Sequence, residues 1–135
     1  MSDVPANLKY TKDHEWARTE PGSAGVGVTV GITAFAVEQL GDVTLVNLDV
    51  KVGDTVTEGK AFGTIESVKT LSDLFAPVTG KILKINAELE TKPELVNEDC
   101  YGKGWMVVIG PSDPGAVGGL MDEKAYGELL KSTAH

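Results

Sequence analysis

Lys69 stands in the phrase Gly63-Thr64-Ile65-Glu66-Ser67-Val68-Lys69-Thr70-Leu71-Ser72-Asp73, between two runs of β-forming residues that lead into turn-rich segments. A lysine that forms a Schiff base needs desolvation or a neighbouring cation, whereas the sequence neighbours here, Glu66 and Asp73, are acids that favour the ammonium form. A lysine at the tip of a hairpin is better suited to being recognised and acylated by another enzyme, and so to mounting a covalent cofactor. The plainer reading, a solvated surface lysine, stands beside it. Other chemistry has few residues to work with. Cys100 is the single cysteine, which excludes an internal disulfide and a Cys-based zinc site. His14 and His135 are too far apart in sequence to assemble a metal cluster or a His-centred triad, and no general base or nucleophile pair marks an autonomous enzyme.

The 135 residues (14.2 kDa) suffice for one hydrophobic core, so one domain spanning 1–135 is expected. With 41% hydrophobic and 24% charged residues the composition is that of an ordinary globular chain, and no apolar run approaches the roughly 18–20 residues that span a bilayer. A formal net charge of −8, from 20 acids against 12 bases, opposes nucleic-acid binding and favours docking to basic protein surfaces. Met1-Ser2-Asp3-Val4-Pro5 has neither the basic start of a secretory signal nor the Arg-rich character of a transit peptide. A cytoplasmic location is therefore expected, with the mitochondrial matrix after transit-peptide removal as the alternative.

Val26, Val28 and Val30 alternate with small or polar residues, the period of a half-buried strand, and 14–18 reads as a short strand ending at the turn Pro21-Gly22-Ser23. Apolar positions 32, 36, 37 and 40 recur at helical spacing, and Gly41 is placed to end a helix of about two turns. Strands follow at 43–48, 55–56, 61–67, 70–76 and 80–86, separated by Gly53-Asp54, Glu58-Gly59-Lys60 and Pro77-Val78-Thr79-Gly80, with Gly80 read as a turn requirement. Such a density of short strands implies an antiparallel or barrel-like sandwich and argues against a doubly wound dinucleotide fold. Residues 52–65 and 95–109 echo each other as turn, polar link, glycine and apolar strand, the pattern of a pair of related hairpins. Residues 122–131 read as a closing helix with acids at its start and Lys131 near its end. Trp16, Trp105 and Phe35 are expected to fill the core, and His14 to serve structure or docking.

Several phrases, in this order and spacing, resemble the H-protein family of the glycine cleavage system: His14-Glu15-Trp16, Val30-Gly31-Ile32-Thr33, Glu38-Gln39-Leu40-Gly41-Asp42, Glu66-Ser67-Val68-Lys69, Ser72-Asp73, Ala76-Pro77-Val78-Thr79-Gly80, Pro93-Glu94-Leu95-Val96-Asn97 and Tyr101-Gly102-Lys103-Gly104-Trp105. The similarity spans about residues 8–131. Biotin carriers share the Ala-Pro-Val-Thr-Gly type of phrase but place their lysine between methionines; here Val68 and Thr70 flank it, which favours lipoate.

The resemblance implies (R)-lipoate in covalent amide linkage to Lys69 and a mainly β, barrel-sandwich hybrid fold of two antiparallel sheets, with short peripheral helices and a C-terminal helix. It implies a carrier and not an enzyme. A pyridoxal-phosphate P-protein would load an aminomethyl group from glycine, a T-protein would pass it to tetrahydrofolate, and the L-protein, dihydrolipoyl dehydrogenase, would reoxidise the arm. A lipoyl-attachment enzyme is a further implied partner. Glu66, inside the attachment phrase, is a candidate for recognition or docking, as are Ser67 and Asp73, although polar residues beside turns commonly cap backbone groups. The alternative function is a lipoyl relay to other lipoyl domains. Three features depart from the family pattern: Ala34 in place of an Asp, expected to remove a helix cap or a contact; Cys100 in place of a Pro; and a longer Asp49–Val52 loop, expected to alter docking beside the arm.

Overall fold

The computed structural model describes residues 4–22, 25–113 and 115–133. Among the described residues, nine strands form two antiparallel sheets. The larger has the order β1 (Lys9–Tyr10), β2 (Glu15–Gly22), β3 (Gly25–Ile32), β9 (Val107–Pro111), β8 (Gly80–Ile85) and β5 (Thr55–Val56); the smaller is β4 (Val43–Leu48), β6 (Ala61–Ser67) and β7 (Leu71–Phe75). This is the barrel-sandwich arrangement expected from the sequence, with α1 (Ala34–Leu40), α2 (Glu88–Thr91), α3 (Leu95–Glu98), a 3-10 turn (Ala116–Gly119) and α4 (Glu123–Thr133) outside it.

Strand alternation explains the packing. Val28, Val30 and Ile32 of β3, Ile82 of β8 and Ile109 of β9 are buried in one cluster with Val46 of β4, Phe62 and Ile65 of β6 and Leu74 of β7. Removing these chains from water is the main favourable term holding the two sheets together. A second cluster joins Leu8, Tyr10 and Trp16 to Tyr126 of α4, the rings of Tyr10 and Tyr126 lying stacked 4.5 Å apart.

Some expectations need correction. Strand β2 includes Pro21 and Gly22, so it does not end at the phrase Pro21-Gly22-Ser23; Ser23 lies outside the described residues. The echo between 52–65 and 95–109 holds only at its end: both segments run into a strand, β6 and β9, but these lie in different sheets, and the second segment opens with the helical turn Leu95–Glu98. Of the three aromatics assigned to the core, Trp16 is fully buried, while Phe35 and Trp105 are half-buried. Helix α1 begins at Ala34, capped by Thr33, whose Oγ1 accepts from the N–H of Ala36 at 3.3 Å. Ala34 therefore removes no cap; its N–H donates to the hydroxyl of Tyr101.

Gly80 is a strand residue. A Cβ there would collide with the carbonyl oxygen of Gly110 on β9, so close backbone approach, and not a turn, demands glycine. Gly80→Ala is expected to lower the unfolding free energy by about 2 kcal/mol, because the obstructing atom is backbone and moves only with its strand. A denaturant titration with unchanged slope and a lower midpoint would register it.

Candidate functional site

The β6–β7 hairpin carries Lys69 at its tip. Ser67 builds the turn: its N–H donates to the carbonyl of Thr70 at 2.8 Å, while its Oγ accepts from the N–H groups of Lys69 at 3.1 Å and Thr70 at 3.2 Å. One serine hydroxyl thus satisfies two turn amides that face away from the sheet ladder. The turn is tied to the body where the N–H of Val68 donates to the carbonyl of Asp42 at 3.0 Å.

Gly41 ends α1 in a left-handed conformation, φ 78°, with its N–H returned to the carbonyl of Val37. A Cβ on Gly41 would lie 3.4 Å from Cε of Lys69, so the exposed lysine stem runs back across the end of α1. Its side chain therefore lies beside the C-terminal end of the helix.

That groove, of about 180 Å³, opens between α1, the start of β2 and β7. Ile32, Leu40, Ile65 and Leu74 supply apolar lining; Asp13, Glu15, Ser72 and Asp73 supply polar groups, and Thr70, next to Lys69, also contributes. Glu15 is 2% exposed. Its Oε1 accepts from the hydroxyl of Thr11 at 2.8 Å and its Oε2 from the N–H of Phe75 at 3.2 Å, so one carboxyl joins β2 to the edge of β7. Burial pushes this carboxyl up to about 8, overcoming the two hydrogen bonds that favour the anion. The groove thus sets an apolar wall beside carboxyl groups, of which the buried Glu15 holds its proton near neutral pH.

His14, also lining the groove, is the one non-glycine residue with positive φ among the described residues, at 68°. Such a backbone needs outside support. The carbonyl of His14 accepts from the N–H of Thr33 at 2.9 Å, the ring tilts against Phe35, and Nδ1 lies 2.8 Å from the hydroxyl of Tyr126. The Tyr126 hydroxyl is also 2.7 Å from Oγ1 of Thr33, the α1 cap. Burial lowers His14 below its usual range and pushes Tyr126 up to about 12. Helix α4 therefore braces the groove through one phenol. Tyr126→Phe keeps the ring stack and loses both hydroxyl contacts, leaving Nδ1 and Oγ1 short of a partner; a loss of roughly 2 kcal/mol is expected, read as a lower Tm in calorimetry.

The expected site residues divide. Lys69 is exposed at the tip, Ser67 lies beneath the turn as its cap, Asp73 lines the groove, and Glu66 points outward, level in register with Leu45 and Leu71. The Asp49–Val52 loop follows the end of β4 that pairs with Gly63, whereas the end beside Ser67 leads to the lysine, so this loop does not lie beside the arm. Glu15, Ser72 and Tyr126 are not legible as site residues. Glu15 and Ser72 meet in the groove only once β7 lies against the start of β2, and Tyr126 reaches His14 from α4, a placement that no local spacing signals.

Two antiparallel sheets in a barrel-sandwich, with one lysine presented on a tight hairpin, define a carrier domain of the lipoyl type. The chain belongs to the glycine cleavage H-protein family, whose model matches residues 8–133. It is 54% identical over 134 residues to the glycine cleavage system H protein of Myxococcus xanthus (98% of this chain, 100% of the relative) and 52% identical over 124 residues to that of Bacteroides thetaiotaomicron (92% and 94%). A crystal structure of a glycine cleavage system H protein from Mycobacterium marinum superposes with a TM-score of 0.81 at 40% identity, covering 98% of this chain and 100% of that one. The chain is accordingly a carrier component of glycine cleavage and not a catalyst.

Proposed function

We propose that Lys69 bears (R)-lipoate in amide linkage through Nζ, and that the chain, as a single domain in the cytoplasm, carries the aminomethyl group of glycine from the P-protein to the T-protein before the L-protein reoxidises the arm. The observation that carries this reading is an exposed lysine on a serine-braced hairpin tip, immediately beside an acid-lined groove. When bound, the group supplies a dithiolane that opens to accept cargo on sulfur and is closed again by oxidation.

The residues do the rest. Ser67 orders the turn so that Lys69 is offered to the attachment enzyme without first paying the entropy of loop ordering. Leu40, Ile65 and Leu74 favour an aliphatic arm in the groove, and the carboxyl group of Asp73 at its edge suits a cationic cargo. Glu66 stays free on the outer face for recognition by partners. Tethering replaces diffusional search with a high effective concentration at each docked enzyme.

Intact-protein mass and peptide mapping on material from lipoate-replete cells test the proposal. One lipoyl adduct on Lys69 that gains two hydrogens on reduction is expected; a bare Lys69 in cells that lipoylate other proteins would overturn it.

A further inference from the structure

Asn97 closes the phrase Pro93-Glu94-Leu95-Val96-Asn97 and lies in α3. Its side chain makes two bonds of 2.8 Å: Nδ2 donates to the carbonyl of Gly41, and Oδ1 accepts from the N–H of Val43. These peptide groups bracket Asp42, whose own carbonyl receives the N–H of Val68. The corner clamped by Asn97 is thus the one from which the lysine turn hangs, and it includes the glycine across which the Lys69 stem lies.

We propose that Asn97 is a positioning residue for the lysine turn, fixing the α1–β4 corner so that Lys69 is presented in one orientation to the attachment enzyme. The proposal rests on the reading of Lys69 as the lipoylated residue. The corner needs such support, because Gly41 is left-handed and the β4–β6 ladder shifts register between Val43 and Leu45, directly beside the turn. Asn97 is itself well anchored: its neighbour Val96 is fully buried in the main core. The requirement is chemically narrow. One planar group must donate on one side and accept on the other, which an amide does and a carboxylate does not.

Asn97→Ala removes both bonds; Asn97→Asp keeps the volume and the acceptor for Val43 while turning an anion toward the Gly41 carbonyl. In the unmodified chain, amide hydrogen exchange at Val68 is expected to quicken about tenfold or more in both variants, while Val107 in the sheet centre keeps its protection. With purified attachment enzyme, kcat/KM for lipoylation is expected to fall about tenfold through a raised KM, with the final mass still reaching one adduct. Wild-type exchange at Val68 together with wild-type lipoylation, or an equal acceleration at Val107, would overturn the proposal. If the alanine variant does not fold, the aspartate variant decides. Should wild-type Lys69 take no lipoyl group at all, the reading of the site fails separately, and the exchange comparison still decides whether Asn97 holds the turn.

Discussion

Lys69→Arg is expected to abolish lipoylation while leaving the fold intact. Arginine keeps the long stem and the positive charge, but its guanidinium is always protonated and does not take the place of the amine in acylation. The bonds that shape the turn come from Ser67, from the backbone of residues 68–70 and from Asp42, and none uses the lysine side chain. Stability should therefore change by less than about 0.5 kcal/mol, as for other exposed positions. Glycine-dependent transfer through P-protein and T-protein should fall by more than about a hundredfold, the scale of the advantage that tethering provides. Lys60→Arg is the matching control: Lys60 also sits at a turn, its N–H bonded to the carbonyl of Thr57, but at the opposite end of β6. Transfer that survives in the Lys69 variant and disappears in the Lys60 variant would place the arm on the wrong residue.

The parts of this molecule that the sequence reveals are those governed by local rules. The bounds of β4 and β6 are legible to the residue, because runs of β-forming residues there are delimited by turn-forming segments, although the buried positions do not strictly alternate. Helix α1 is legible because its apolar spacing meets a glycine at the C-terminus, although its first residue is displaced by the capping preference of Thr33. The placement of Lys69 at an exposed hairpin tip is legible from the strand runs on either side of it. The short helices at 88–91 and 95–98 are not, since a single turn has too few residues to show a period. Glu15 illustrates the deeper limit. Beside Trp16 and Ala17 it reads as one polar residue of a strand, yet all three are buried, because β7 covers Glu15 from a segment far along the chain. The roles of Asn97 and Tyr126 likewise depend on contacts between distant segments, which no pattern within either segment records.

Glu15→Gln is expected to remove a fall in stability that the wild type shows between pH 6.5 and 8. An unfolded chain releases the Glu15 proton near 4.5, whereas the folded chain holds it to about 8. Between those values the unfolded state binds fewer protons, so its stability relative to the native state rises with pH. The contribution is fully present below 4.5 and is lost as pH climbs through about 8. His14 acts in the opposite sense: burial lowers its folded value below 6.5, so its cost falls as pH rises toward 6.5. Above 6.5 the His14 contribution fades as the unfolded chain also loses its proton, and Glu15 dominates the slope. Over that window about 1.4 kcal/mol per pH unit amounts to roughly 2 kcal/mol. Glutamine keeps the size of the side chain, its amide oxygen accepting from the N–H of Phe75, and carries no titrating proton. Urea titrations at pH 6.5 and pH 8 should therefore show a falling midpoint in the wild type and a level one in the variant. A level wild-type profile would mean that Glu15 is already ionised in the folded state at neutral pH. The distinction bears on the carrier role, because a cation arriving beside a protonated Glu15 must displace its proton, whereas an ionised Glu15 would hold the cargo without any proton release.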